Sequence, residues 1–335
     1  MRQISYPEFL IDIIFNNRPG GCFFADKGFY GHARRLWLFY LFCGRITPLF
    51  LSYFMENIDG KALAESIKDS LVKEIKALGA RPNLAIVLVG EREDSKLYVS
   101  LKEKQAKAVG IDTHLYRCDA DIKEDELLAM VDFLNNDELI DGILIQLPLP
   151  EGIDTDKVVS RMSPEKDVDG FHPKSLQRLL SNCSIGVEPP LIGVVLEMLS
   201  SIRFDLAGKS VVALVNSPIL GASIKHVLEC RGASVRLLSG NEQQLGEKTI
   251  GADLLISALG RPRLVTGEMI KDGAAVIDIG ITRTKDGSVC GDVDFESTSG
   301  KTGYITPVPG GVGPMTIALA FKNTLELYKQ KKVDK

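Results

Sequence analysis

From Met55 onward the chain alternates short apolar runs with amphipathic stretches, and this alternation narrows the possible folds more than any other feature. Residues 84–89, 142–147, 210–215, 234–238, 253–257 and 274–279 are runs of strand length, and a further strand is expected near 114–116. Between them, residues 61–78 place Leu63, Ile67, Leu71, Ile75 and Leu78 at helical spacing. Residues 97–109 read as a helix ended by Gly110, and 124–135, 191–201 and 221–231 as further helices. Strands alternating with helices imply an α/β protein with parallel sheets. At 335 residues the chain exceeds the about 250–300 at which single cores stop growing, so two domains are expected, with a boundary near 175–190.

The composition is that of a soluble globular protein, with 45% hydrophobic and 25% charged residues. A net charge of −4 argues against a general binder of nucleic acid or anionic membrane. Cys22, Cys43, Cys118, Cys183, Cys230 and Cys290 are scattered, without a C-x-x-C pair or a histidine at metal spacing. They read as a reduced, cytosolic set, and no metal is expected. The first 54 residues stand apart: they hold 14 of the 23 aromatic residues (14 Phe, 8 Tyr, 1 Trp). The apolar run 36–43 follows Arg34-Arg35, but Arg45 and Pro48 interrupt what comes after, so no bilayer-length span forms. Cleavage and transit signals are lacking. Residues 1–54 therefore read as an extension outside the functional fold, with Met55 as the expected start.

Residues 306–316 hold three glycines and three prolines immediately before an apolar helical pattern (Ile317, Ala318, Ala320, Phe321). Proline fixes φ and glycine permits positive φ and close approach, so the backbone here follows one path. Such a loop opening onto a helix suits a phosphate or a flat ring, or serves only as a rigid connection. Strand 210–215 runs into Asn216-Ser217-Pro218-Ile219-Leu220-Gly221 and a helix, the context of a dinucleotide-binding turn. The G-x-G-x-x-G fingerprint is absent, and a Rossmann-like sheet without cofactor fits this turn nearly as well. Ser257-Ala258-Leu259-Gly260 and Asp278-Ile279-Gly280-Ile281 put small residues at strand carboxyl ends, which favours binding.

Acid–base candidates lie in the first half. Tyr98 and Lys102 are four apart on an expected helix and share a face, a spacing also common by chance. Short-chain dehydrogenases use the same spacing, but after their nucleotide-binding turn rather than before it. Gln146 sits in an apolar strand end, where a buried amide needs a ligand or a partner such as Lys102. Asp167 and Asp169 either shape a turn or supply one carboxylate to the N–H groups of a heterocycle. His172 reads as structural.

Five segments in order carry a family resemblance: Ser95-Lys96-Leu97-Tyr98-Val99 with Lys102 and Lys104, Gln146-Leu147-Pro148-Leu149-Pro150, Pro164-Glu165-Lys166-Asp167-Val168-Asp169-Gly170-Phe171, Gly291-Asp292-Val293-Asp294-Phe295, and 306–316. From about Met55 to its C-terminus the chain resembles the bifunctional methylenetetrahydrofolate dehydrogenase/cyclohydrolases. The resemblance implies a folate-binding catalytic domain (55–180 plus 315–335) and a Rossmann-like NAD(P)-binding domain (181–314), after the extension 1–54. It further implies NADP-dependent oxidation of methylene- to methenyl-tetrahydrofolate, hydrolysis to the formyl form in one shared cleft, and a cytoplasmic homodimer. A last helix near 315–330 is expected to pack back onto the first domain. By the same resemblance Lys102 transfers protons, Gln146 holds and tunes it, Tyr98 stacks on the folate and Asp169 binds the pterin. Pro309 and Gly310 line the substrate, while Asn216, Ser217, Gly221, Gly280, Ile281 and Thr316 face the cofactor.

The departures from the family gather in the second half. Its Gly-Arg-Ser turn reads Val215-Asn216-Ser217 here, without the arginine expected on the 2′-phosphate of NADP. Its Pro-Cys-Thr-Pro-x-Gly segment reads Glu188-Pro189-Pro190-Leu191-Ile192-Gly193, and its His-Ser-x-Thr segment Leu238-Ser239-Gly240-Asn241. An Asn-x-Gly after the pterin aspartate is replaced, with Ser175 and Gln177 there. Glu242 would suit a ribose hydroxyl and hence NAD. Open at this point are a dehydrogenase/cyclohydrolase using NADP or NAD, a hydrolase with a scaffold nucleotide domain, and a silent folate-binding protein.

Overall fold

Two parallel sheets form because the apolar runs are covered by helices, which makes continuous rather than alternating hydrophobicity the right strand signal. The computed structural model describes residues 55–183, 187–284 and 286–333, so the aromatic extension 1–54 lies outside the described residues. The first half runs β1 (Glu56–Asn57), α1 (Gly60–Leu78), β2 (Asn83–Val89), α2 (Glu93–Val109), β3 (Asp112–Cys118), α3 (Glu124–Asn136), β4 (Gly142–Gln146), α4 (Thr155–Arg161) and α5 (Pro173–Ser181). Strand β2 pairs in parallel with β3 on one side and β4 on the other. All of β4, and all of β2 beyond Asn83, is buried.

The second half runs α6 (Pro190–Ser201), β5 (Ser210–Val215), α7 (Pro218–Glu229), β6 (Ser234–Leu238), α8 (Leu245–Thr249), β7 (Leu254–Ala258) and β8 (Ala275–Asp278). It continues with the antiparallel pair β9 (Thr282–Arg283) and β10 (Val289–Cys290), β11 (Tyr304–Ile305) and α9 (Val312–Val333). Six strands form a parallel sheet in the order β1-β11-β8-β7-β5-β6. The chain leaves β5 for β6 on one side and then crosses to β7 on the other. That reversal opens a crevice at the carboxyl ends of the strands, where open α/β sheets take ligands. The expected two-domain α/β class is the one observed, and no helix among the described residues is long and apolar enough to cross a membrane.

Helix starts differ from the sequence expectation for local reasons. Helix α7 begins at Pro218 rather than 221, because Ser217 Oγ accepts from Leu220 N as an N-cap and proline suits the next position. Helix α9 begins at Val312, inside the Gly/Pro run, since Pro314 falls in the first turn where an N–H has no intrahelical acceptor. The cysteine reading needs a correction: Cys183 and Cys230 form a disulfide across 47 residues, with Cα atoms 5.4 Å apart. Sequence distance hid a spatial neighbourhood between the segment after α5 and the end of α7. His226 in the last turn of α7 and Cys230 at its C-cap also lie 3.5 Å apart (Nε2 to Sγ), so a histidine does accompany this pair.

Helix α9 packs on α1, α6 and β4. Its Phe321 is fully buried with Leu71, Ile75, Leu84, Ile86 and Val168 in the core of the first sheet. Asn323 Nδ2 donates to Val168 O at 2.9 Å and Glu188 O at 2.7 Å, tying two loops to the helix. Phe321→Ala is expected to cost about 3–5 kcal/mol in denaturant-induced unfolding. Leu139→Ala, at a side chain 74% exposed, should stay within about 0.5 kcal/mol.

Candidate active site

Helix α2 presents Tyr98 and Lys102 one turn apart on its buried face, against the end of β4. Lys102, only 5% exposed, donates from Nζ to Gln146 Oε1 at 3.0 Å. Gln146 Nε2 in turn donates to Leu147 O at 3.0 Å, which fixes the amide with its oxygen toward the amine. Lys102 Nζ also lies 4.7 Å from the centre of the Tyr98 ring. Burial lowers the Lys102 pKa to about 8, against the opposing pull of Asp169. Asp169, half-buried, is pushed up to about 6 by its own desolvation, with Lys102 opposing and Asp167 adding to the rise. Burial also holds the Tyr98 hydroxyl above its ordinary value, while its contact with Thr316 Oγ1 at 3.3 Å works the other way.

The two aspartates of the 166–170 turn part company. Asp167 is buried and accepts from Phe171 N at 3.3 Å and His172 N at 2.9 Å, so it builds the turn. Asp169 is the one coupled to Lys102. His172 caps α5, accepting at Nδ1 from Lys174 N at 3.0 Å, with Nε2 3.1 Å from Ser160 O, a structural role as expected.

Thr306 Oγ1 accepts from Asp278 N at 2.7 Å and anchors the start of the Gly/Pro run to β8. Pro309 follows a cis peptide bond and is exposed, and Gly310 has φ +108°, a conformation that other residues rarely adopt. Thr316 donates to Gly313 O at 2.8 Å and meets the Tyr98 hydroxyl. The structure thus sets Thr316, expected to face the cofactor, beside Tyr98.

The remaining cofactor candidates line the carboxyl ends of the second sheet. Asn216 Nδ2 donates to Leu259 O at 2.8 Å, bridging the turns after β5 and β7. Ser217 is buried as the α7 cap. A Cβ on Gly221 would lie 2.9 Å from Val215 and 3.2 Å from Leu237, so this glycine serves close helix–strand packing. A Cβ on Gly280 would fall within 2.4 Å of the Asp292 carboxylate, and Ile281 beside it is buried. Glu242 is paired with Lys248 at 2.6 Å, so its carboxylate is already engaged.

Asp278 and Asp292 were not picked out as organisers of this region. Asp292 accepts from Ser257 Oγ, Leu259 N and Arg261 N at 2.8, 2.6 and 2.7 Å. Asp278 accepts from Gly280 N and Val293 N at 2.9 Å each. Burial and the neighbouring Asp292 push Asp278 well above the usual carboxylate range. The available signal was an aspartate ending an apolar strand, where every ionisable group must be paired or hydrogen-bonded.

Comparison with known proteins identifies both halves of the chain. The family model described as tetrahydrofolate dehydrogenase/cyclohydrolase, catalytic domain, matches residues 58–169, and the corresponding NAD(P)-binding domain model matches 191–332. The "Bifunctional protein FolD" of Halothermothrix orenii is 47% identical over 278 residues, covering 81% of this chain and 97% of that protein. The crystal structure of the bifunctional methylenetetrahydrofolate dehydrogenase/cyclohydrolase from Campylobacter jejuni aligns with a TM-score of 0.78 at 40% identity, over 82% of this chain and 99% of its own. The Trypanosoma brucei enzyme, complexed with NADP cofactor and inhibitor, aligns with a TM-score of 0.78 at 35% identity, over 82% and 98%.

The amide of Gln146 accepts from Lys102 and so favours the charged amine. Gln146→Leu is therefore expected to lower the Lys102 pKa below its value of about 8. The check is the pH dependence of Lys102 acylation by an amine-selective reagent, read by mass spectrometry. A titration unmoved by the substitution would show that the amide does not tune the amine.

Proposed function

The chain belongs to the tetrahydrofolate dehydrogenase/cyclohydrolase family, and we propose that it oxidises 5,10-methylenetetrahydrofolate with NADP and hydrolyses the methenyl product to 10-formyltetrahydrofolate. The carrying observation is the buried Lys102–Gln146 pair, with the Lys102 amine over the Tyr98 ring and Asp169 acting on its charge. In this reading Tyr98 stacks on the folate, Asp169 receives the amino and ring N–H groups of the pterin, and Pro309 and Gly310 form the wall of the cleft.

The residues present fit a dinucleotide. The crevice lies at the switch point of a parallel sheet, α7 starts there with a capped turn, and Gly221 lets helix and strand close. Asn216, Ser217, Gly280 and Ile281 would hold NADP there, and when bound it supplies the hydride acceptor for the first reaction. What the chain contributes to that step is position, since the folate one-carbon bridge already forms an iminium on losing hydride.

Hydrolysis asks more of the side chains. A water oxygen forms a bond to the methenyl carbon, and neutral Lys102 takes a proton from that water. The C–N5 bond then breaks as N5 takes a proton from the lysine ammonium, and the remaining hydroxyl proton of the adduct passes to solvent, leaving the formyl group on N10 and the lysine neutral again. A pKa near 8 serves both directions of transfer close to neutral pH, and a cationic substrate lowers it further. A cytoplasmic homodimer supplying formyl groups to purine biosynthesis completes the proposal, supported by the family resemblance.

A second reading has one specific observation behind it. Asn216 stands where the family carries arginine and is turned to Leu259 O, which fits a hydrolase that keeps the nucleotide domain as scaffold. Incubation with methylenetetrahydrofolate and NADP or NAD, following reduced nicotinamide, separates the two. Methenyl decay without reduction of either coenzyme would select the hydrolase alone.

Lys102→Met is expected to lower the turnover of methenyltetrahydrofolate hydrolysis about 10²–10⁴-fold. Hydrolysis at the unmodified rate would remove Lys102 from the chemistry. Because the base form is the neutral amine, kcat/KM for hydrolysis should rise with pH and level off above about 8. A flat profile across neutral pH would contradict proton transfer by this lysine.

A further inference from the structure

Three loops meet at the carboxyl ends of β5, β7 and β6: Asn216-Ser217, Leu259-Gly260-Arg261 and Ser239-Gly240-Asn241. Strand β5 lies between the other two, so a side chain reaching from the β7 loop to the β6 loop crosses the end of β5. Arg261 does this. Its backbone N donates to Asp292 Oδ1 at 2.7 Å, which fixes the start of the side chain. Its Nη1 donates to Gly240 O at 2.7 Å and its Nη2 to Asn241 Oδ1. Both partners are neutral, so they orient the guanidinium without cancelling its charge, and a guanidinium has five N–H donors to share.

The other groups at this rim are committed differently. Asn216, at the position where an arginine would hold a 2′-phosphate, points to Leu259 O, two residues before Arg261. Lys248 and Glu242 are paired with each other. Gly240 is packed so tightly that a Cβ would lie 3.1 Å from Leu259 and 3.2 Å from Arg261 Nη1. The β6 end therefore presents backbone and a fixed guanidinium where a doubly wound sheet places the adenosine ribose.

We infer that Arg261 is the residue that selects NADP over NAD, receiving the ribose 2′-phosphate from the β7 side of the crevice in place of the arginine missing at 216. The inference rests on the reading of this crevice as the coenzyme site. A planar fork already pinned by two acceptors suits bidentate phosphate binding, with little side-chain freedom left to lose.

The test measures calorimetric binding of 2′,5′-ADP and 5′-AMP to the full chain and to Arg261→Gln and Arg261→Lys. The unmodified protein should prefer the 2′-phosphorylated fragment by about tenfold or more. Arg261→Gln should bring the two fragments to parity through loss of 2′,5′-ADP affinity alone, and Arg261→Lys should restore part of the preference. In turnover the same Gln variant should raise KM for NADP about tenfold or more, without raising KM for NAD. Retained preference in Arg261→Gln would overturn the inference, as would equal weakening of both fragments, the mark of a merely structural side chain. If NADP and NAD both go unreduced while the Arg261-dependent fragment preference stands, the dehydrogenase reading fails and the inference survives. If NADP is reduced equally well by Arg261→Gln, the reverse holds.

Discussion

The docking of one helix, Val312–Val333, is the constraint on which the site depends. It emerges from the Gly/Pro run that follows the second sheet, yet it spends its apolar surface on α1 and α6 and on the core under the first sheet. Its first turn brings Thr316 to the Tyr98 hydroxyl, its middle buries Phe321, and Asn323 holds both the aspartate turn and the segment before α6. Because close-packed interiors do not deform continuously, seating Phe321 fixes where the first turn must lie. The rigid loop is thereby delivered to the side chains of another domain.

Within that frame the proposed hydrolysis draws on a desolvated amine. An isolated buried ammonium is costly, and the protein answers with a carbonyl oxygen, an aromatic face and a nearby carboxylate instead of full neutralisation. The outcome is a lysine whose proton is held loosely enough to move near neutral pH. The second sheet treats its buried acids differently. Asp278 and Asp292 accept from backbone N–H groups that stitch strand ends together, and their hydrogen bonds are spent on architecture. The buried carboxylates thus play different parts, Asp169 opposing the loss of charge at Lys102 while Asp278 and Asp292 keep the crevice in shape.

Much of this was legible in the chain. Tyr98 and Lys102 share a face because four residues make about one turn, and Gln146 stood out because an amide in an apolar strand must find a partner. That the partner is Lys102 was one of the two options open. Other features were not legible. Asp167 and Asp169 differ by two positions in one turn, and only the hydrogen bonds to Phe171 and His172 N–H groups separate builder from site residue. The Cys183–Cys230 bond and the reach of Arg261 across β5 join residues distant in sequence, so spacing carries no trace of either.

What the sequence determined by itself is local and periodic: the α/β class, most element positions, and the residue types at each strand end, since these follow from backbone sterics and from which side of an element must be apolar. Which charges are desolvated, which carboxylates are occupied, and which strand ends a long side chain joins was decided only by tertiary structure. Desolvation and hydrogen bonding depend on the distance between groups in space, and in this fold the decisive pairs are brought together by sheet order and by the return of the last helix.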